Sequence, residues 1–186
     1  MKNNELKNQK ENEDLIVTDP LENGIANLRL LFFNSLKKIY FAEQTLIKTL
    51  PSMSINASSP KLKSSIDEHI FITENQLSRL TQIFNLLDEK AHSKECEVLY
   101  GLLKEADTII RETFYGPVRD AAIISICQKI EHYEIATYGT LFAFAKTLGE
   151  NKIAELLQQT LAEESEADKI LTDVANYSIN MEASKI

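Results

Sequence analysis

Glycine and proline are scarce in this sequence, 5 and 4 among 186 residues. A β protein built on tight turns draws on both residues at its reversals, so their scarcity points away from that class. Positive charge is short as well. The net charge of −8 provides no basic face for a nucleic-acid backbone. No apolar run approaches the roughly 18 residues of a membrane span. The opening "MKNNELKNQKENEDLIVTDP" lacks the apolar centre of a signal peptide. The expectation is a cytoplasmic chain with a polar, disordered tail over 1–22. The two cysteines, Cys96 and Cys127, have no metal-type spacing and read as buried free thiols. No C-x-x-C pair, phosphate loop or Ser/His/Asp arrangement occurs. That argues against a rubredoxin-type electron-transfer module and against a hydrolase.

What is present is helical periodicity between sparse punctuation marks. Pro20 and Gly24 precede the first periodic segment and Pro51 follows it. Ser59-Pro60 reads as an N-cap with proline at the first helical position, Gly116-Pro117 opens another helix, and Gly149 is a C-terminal stop. Four long helices are expected over about 25–50, 60–88, 117–148 and 151–177, with a shorter fifth over about 95–112. Phe32, Leu36, Ile39, Leu46 and Leu50 repeat at three- and four-residue intervals, as do Ile153, Leu157, Thr160, Leu171 and Val174. Long helices on short links, with one longer crossover, describe a four-helix bundle over 23–178, leaving 179–186 as a tail. A faint repeat relates "AEQTLIKTL" (42–50) to "YEIATYGTL" (133–141), as two related hairpins would.

The apolar stripes contain charge. Continuing each stripe through its gaps places Glu43 on the first helix, His69, Thr73 and Gln76 on the second, and Glu131 and Glu134 on the third. On the fourth it places Glu164, with Asp168 one turn later on an adjoining line. Mid-helix positions of an antiparallel bundle meet at one level. Several carboxylates in a low-dielectric core stay ionised only with compensation, which a bound cation pair supplies. Carboxylate and imidazole groups on four facing helices suit a di-iron or di-manganese centre. The plainer alternative is an acidic core that is protonated, hydrated or salt-bridged, since a single Glu in a stripe is usually a boundary residue.

The stretches "LKKIYFAEQTLIKTLPSM", "KECEVLYGLL", "VRDAAIISICQKIEHYEIATYGTL" and "LLQQTLAEESEADKILTDVA" closely resemble the YciE/YciF-type stress proteins of the ferritin-like superfamily, over about residues 25–175. The resemblance implies an all-α, ferritin-like antiparallel four-helix bundle with a short extra helix in the crossover between helices two and three. It also implies a homodimer and ferroxidase-like chemistry on Fe(II) with O₂ or peroxide. It assigns Glu43, His69, Glu131, Glu134, Glu164 and Asp168 as ligands to iron or manganese. Tyr40, Thr73, Glu74 and Tyr138 stand beside them as polar neighbours. Relatives tend to carry "HLEET" where this chain has "HIFITE", so Phe71 and Ile72 stand where acidic residues are usual. The alternative from another class is a non-catalytic, dimeric helical stress or scaffold protein with a degenerate, metal-free site. Neither reading involves nucleic acid or a membrane.

Overall fold

A computed structural model describes residues 24–185. The expected tail over 1–22 lies outside the described residues. All regular structure among the described residues is helical. The elements are α1 (Gly24–Asn56), α2 (Pro60–Leu86), α3 (Glu97–Glu112), α4 (Pro117–Thr147) and α5 (Asn151–Val174). A π-helical turn (Ala175–Ile179) and a last short helix, α6 (Asn180–Ala183), follow.

Capping chemistry sets three of the boundaries. The Ser59 side chain accepts from Leu62 N, and Pro60 occupies the first turn, where no backbone N–H is needed. Gly149, at φ +78°, closes α4 in a backbone region that penalises a Cβ. There Glu150 N reaches Ala145 O at 2.9 Å and Gly149 N reaches Lys146 O at 3.2 Å, a Schellman pattern. Asp88 does the same at the end of α2 without glycine, at φ +56°, with Glu89 N on Phe84 O.

Two boundaries differ from the sequence expectation. Pro51 lies inside α1, which continues to Asn56. Proline removes one helical donor, but the added turn buries Met53 and Ser54, and Ser54 Oγ donates to Asp67 at 2.6 Å. At the other end, residues expected as a tail from 179 stay helical through Ala183, and Ile179 is buried.

Short links at 57–59 and 148–150 fold α1 onto α2 and α4 onto α5 as antiparallel hairpins. The two hairpins pack through α1 on α4 and α2 on α5, while α3 spans the crossover and lies on α4 and α1. The result is a four-helix bundle with one crossover helix. Asp120, at the start of α4, ties the hairpins together by accepting from Ser58 N, Ser58 Oγ and Ser59 N. Every apolar stripe residue anticipated on α1 and α5 is buried. Among the described residues, no helix is long and apolar enough to cross a membrane.

Candidate metal centre

Helical spacing carries the buried charge to the middle of the bundle. Glu131 and Glu134 share a face of α4, and Tyr138 follows one turn on. Glu43 comes from α1, His69 from α2 and Glu164 from α5, and all five acidic or imidazole side chains are buried. His69, Glu131, Glu134 and Glu164 each offer one ligand atom, and these atoms lie within 4.8 Å of one another. His69 Nε2 is 3.3 Å from Glu131 Oε1 and 3.9 Å from Glu164 Oε2. Glu43 adjoins this group and accepts a hydrogen bond from the Tyr138 hydroxyl.

The electrostatics are those of a site lacking positive charge. Burial first, then the neighbouring Glu164, pushes the Glu43 carboxyl well above the usual carboxylate range. Glu131 is raised by burial and by its contact with the Glu164 carboxyl, and Glu134 by burial and then by Glu43. Burial lowers the His69 pKa against the pull of Glu164. A lowered imidazole pKa favours the neutral ring, which weakens the 3.3 Å His69–Glu131 contact as an ion pair. Burial also raises the Tyr138 hydroxyl, which stays protonated as a donor.

Six buried polar atoms in this cluster have no hydrogen-bond partner: Glu43 Oε2, His69 Nδ1, Gln76 Oε1, Glu131 Oε2, Glu134 Oε1 and Glu164 Oε2. Buried acceptors are nearly always satisfied, because an orphaned one costs about 1–3 kcal/mol. Five such atoms on carboxylates and an imidazole form an oxygen- and nitrogen-rich donor set that fits manganese or iron.

The other anticipated residues lie elsewhere. Asp168 turns away from the cluster to α4, 3.3 Å from His132 Nδ1 and accepting from Gln128 Nε2 at 3.4 Å. It is about 40° around the helix from Glu164, enough to face the neighbouring helix instead of the core. Glu74 is exposed. Tyr40 packs edge-on against Phe84, with ring centroids 5.4 Å apart. Thr73 is buried, but its hydroxyl is spent on His69 O. Phe71 is 64% exposed, so an acid at that position would face solvent. Ile72 borders a cavity of about 220 Å³ formed with Leu50, Ile66 and Ile170, which reaches His69 and Glu131.

Sequence periodicity named Gln76 as a stripe residue but gave it no role. Its amide donates to Glu164 and, at 3.2 Å, to Glu163. Arg79 holds Glu163 through two contacts of 2.8 Å. Cys127, one turn before Glu131, is a core thiol raised to about 12 by burial, with Sγ donating to Met53 Sδ.

Comparison with known proteins extends over the same helices. Residues 27–184 match the family described as Domain of unknown function (DUF892). The chain is 38% identical to Protein YciF of Escherichia coli K12 over 154 residues, 82% of this chain and 93% of that one. The crystal structure of the E. coli stress protein YciF superimposes with a TM-score of 0.79, covering 82% of this chain and 97% of that one at 38% identity. YcfI from Rhodopseudomonas palustris, a proposed structural protein, gives a TM-score of 0.76 at 39% identity, covering 78% and 92%.

Proposed function

The chain belongs to the DUF892 family, with the stress protein YciF among its relatives, and from that premise we propose that it is a ferritin-like stress protein whose bundle core binds a transition metal, iron or manganese. The observation that carries this reading is the cluster of His69, Glu131, Glu134 and Glu164, whose ligand atoms lie within 4.8 Å of one another and each of which has a buried polar atom without a hydrogen-bond partner. In a dry core such atoms call for a cation. When bound, iron or manganese supplies one-electron chemistry with O₂ or peroxide, so Fe(II) oxidation is the activity to seek. His69, Glu131, Glu134 and Glu164 are the ligands in this reading. Tyr138 holds Glu43 in place by donating to its Oε1. The cavity that ends on His69 and Glu131 offers a small neutral oxidant a way in.

The direct test is elemental analysis of protein supplied with Fe(II) or Mn(II), followed by Fe(II) oxidation assays. Binding that disappears in Glu164→Gln while the helical spectrum persists supports the proposal. Wild-type protein that takes up neither metal overturns it.

A second reading has its own support. The Gln76–Glu164, Tyr138–Glu43 and His69–Glu131 contacts knit the cluster together without any ion. That suits a non-catalytic scaffold, and absence of metal uptake would favour it. In either reading we propose a homodimer. The crossover helix and the turn after it expose Val98, Tyr100, Phe114 and Tyr115, an apolar surface suited to a second copy. Sedimentation showing only monomer would rule the dimer out.

A further inference from the structure

A two-ion carboxylate centre in a four-helix bundle draws a Glu from each of two helices and a Glu-x-x-His pair from each of the other two. Here α1 and α4 supply Glu43 and Glu134, with Glu131 in addition. The remaining helices depart from the pattern. On α2 the buried pairs three apart are Ile66 and His69, Thr73 and Gln76, and Leu80 and Ile83; none is a Glu-x-x-His pair, and Gln76 is the member that hydrogen-bonds Glu164. On α5, Glu164 is followed three residues later by Ala167.

Gln76 cannot act as a carboxylate, and it also occupies one. Its amide N–H donates to Glu164 Oε1, and at 3.2 Å it also donates to Glu163 Oε2. Two carboxylate acceptors set the amide orientation, because the reverse flip would face oxygen with oxygen. Glu163 is itself fixed. Arg79 grips both of its oxygens at 2.8 Å and donates to Thr160 Oγ1 at 2.6 Å, with only 10% of the Arg79 side chain exposed. The sequence Arg79–Glu163–Gln76–Glu164 therefore holds a neutral N–H donor against the Glu164 oxygen that a second ion would need. The opposite side of the cluster keeps His69, Glu131, Glu134 and Glu164 Oε2 without such a plug.

We propose that the centre takes one divalent transition-metal ion per chain, held by His69, Glu131, Glu134 and Glu164, and that Gln76, clamped by the Arg79–Glu163 pair, closes the position of a second ion. The proposal rests on the metal-binding reading above and specifies its stoichiometry. Gln76 is a specificity-determining residue in this scheme and not a ligand.

Metal-free protein would be titrated with Co(II), with bound metal counted after desalting and coordination followed by visible absorption. The wild type is expected to saturate at one equivalent. Gln76→Leu removes the amide without adding a ligand and is expected to stay at one equivalent. Gln76→Glu restores a carboxylate and is expected to admit a second. Should the added buried acid prevent folding without metal, Gln76→Leu still decides whether Gln76 is a ligand. Two equivalents of like affinity in the wild type would overturn the single-ion inference and leave the metal site standing. Loss of the single ion in Gln76→Leu would overturn it by making Gln76 a ligand. A folded wild type that takes up no Co(II) would defeat the metal reading itself, and the inference with it.

Discussion

Glu131→Gln separates a ligand from a structural acid. Glu131 is buried, with Oε1 on His69 Nε2 and Oε2 unpartnered. Gln has the same shape, and its carbonyl can keep the contact with His69. What changes is charge. Ligand atoms of Glu131, Glu134 and Glu164 lie within 4.8 Å of one another. At an effective dielectric of about 20, two unit charges at that separation repel by about 3 kcal/mol. Burial already raises the Glu131 carboxyl, and the protonation this brings trims the repulsion. The expected gain for the metal-free fold is therefore about 1–2 kcal/mol, or roughly 2–8 °C in Tm for a chain of this size. The metal-bound form should respond in the opposite sense. Loss of an anionic ligand should remove most metal uptake, and with it the rise in Tm that a ligand of the native state produces. Thermal melts with and without chelator, alongside elemental analysis, read both effects. A variant that keeps wild-type metal uptake, or whose metal-free Tm falls by several degrees, would refute the reasoning.

The remaining predictions concern pH, a tertiary tie and a displaced acid. Burial holds the Glu43, Glu131 and Glu134 carboxyls above their ordinary value of 4.5. A carboxyl raised in the folded state favours folding most at low pH, so metal-free Tm should decline as the pH rises above the ordinary carboxylate range, and saturating metal should abolish the decline. Asp120→Ala strips the partner from three donors between the hairpins. It should cost about 2–4 kcal/mol in chemical denaturation without changing metal stoichiometry. Asp168→Ala should likewise leave the metal count unchanged, because its carboxylate serves His132 and Gln128. A drop in metal content would return it to the ligand set.

Much of the bundle was written in local pattern. Three- and four-residue spacing determines which side chains share a helix face, whatever that face meets. Phe32, Leu36, Glu43, Glu131, Glu134 and Glu164 were therefore all legible as inward positions, and all are buried. Caps at Ser59 and Gly149 are equally local, since the donors they satisfy lie within a few residues. Proline misled for the same reason. Its penalty is local, whereas the burial of Met53 beyond Pro51 comes from other helices.

Tertiary structure decided how each helix is rotated about its own axis and which partner each side chain meets. The border residues show this. A few tens of degrees send Asp168 to α4, Glu74 to solvent and Tyr40 to Phe84. Gln76 is the sharpest case. Its stripe position followed from spacing alone, but its action depends on Glu164, Glu163 and Arg79, which are brought together across more than 80 residues of chain. Periodicity ranks positions by face and contains no term for a hydrogen bond between helices. The sequence by itself thus determined that acids would lie inside the bundle. Only the packing of α2 against α5 decided which carboxylate oxygen is met by an amide, Glu164 Oε1, and which are left without a partner.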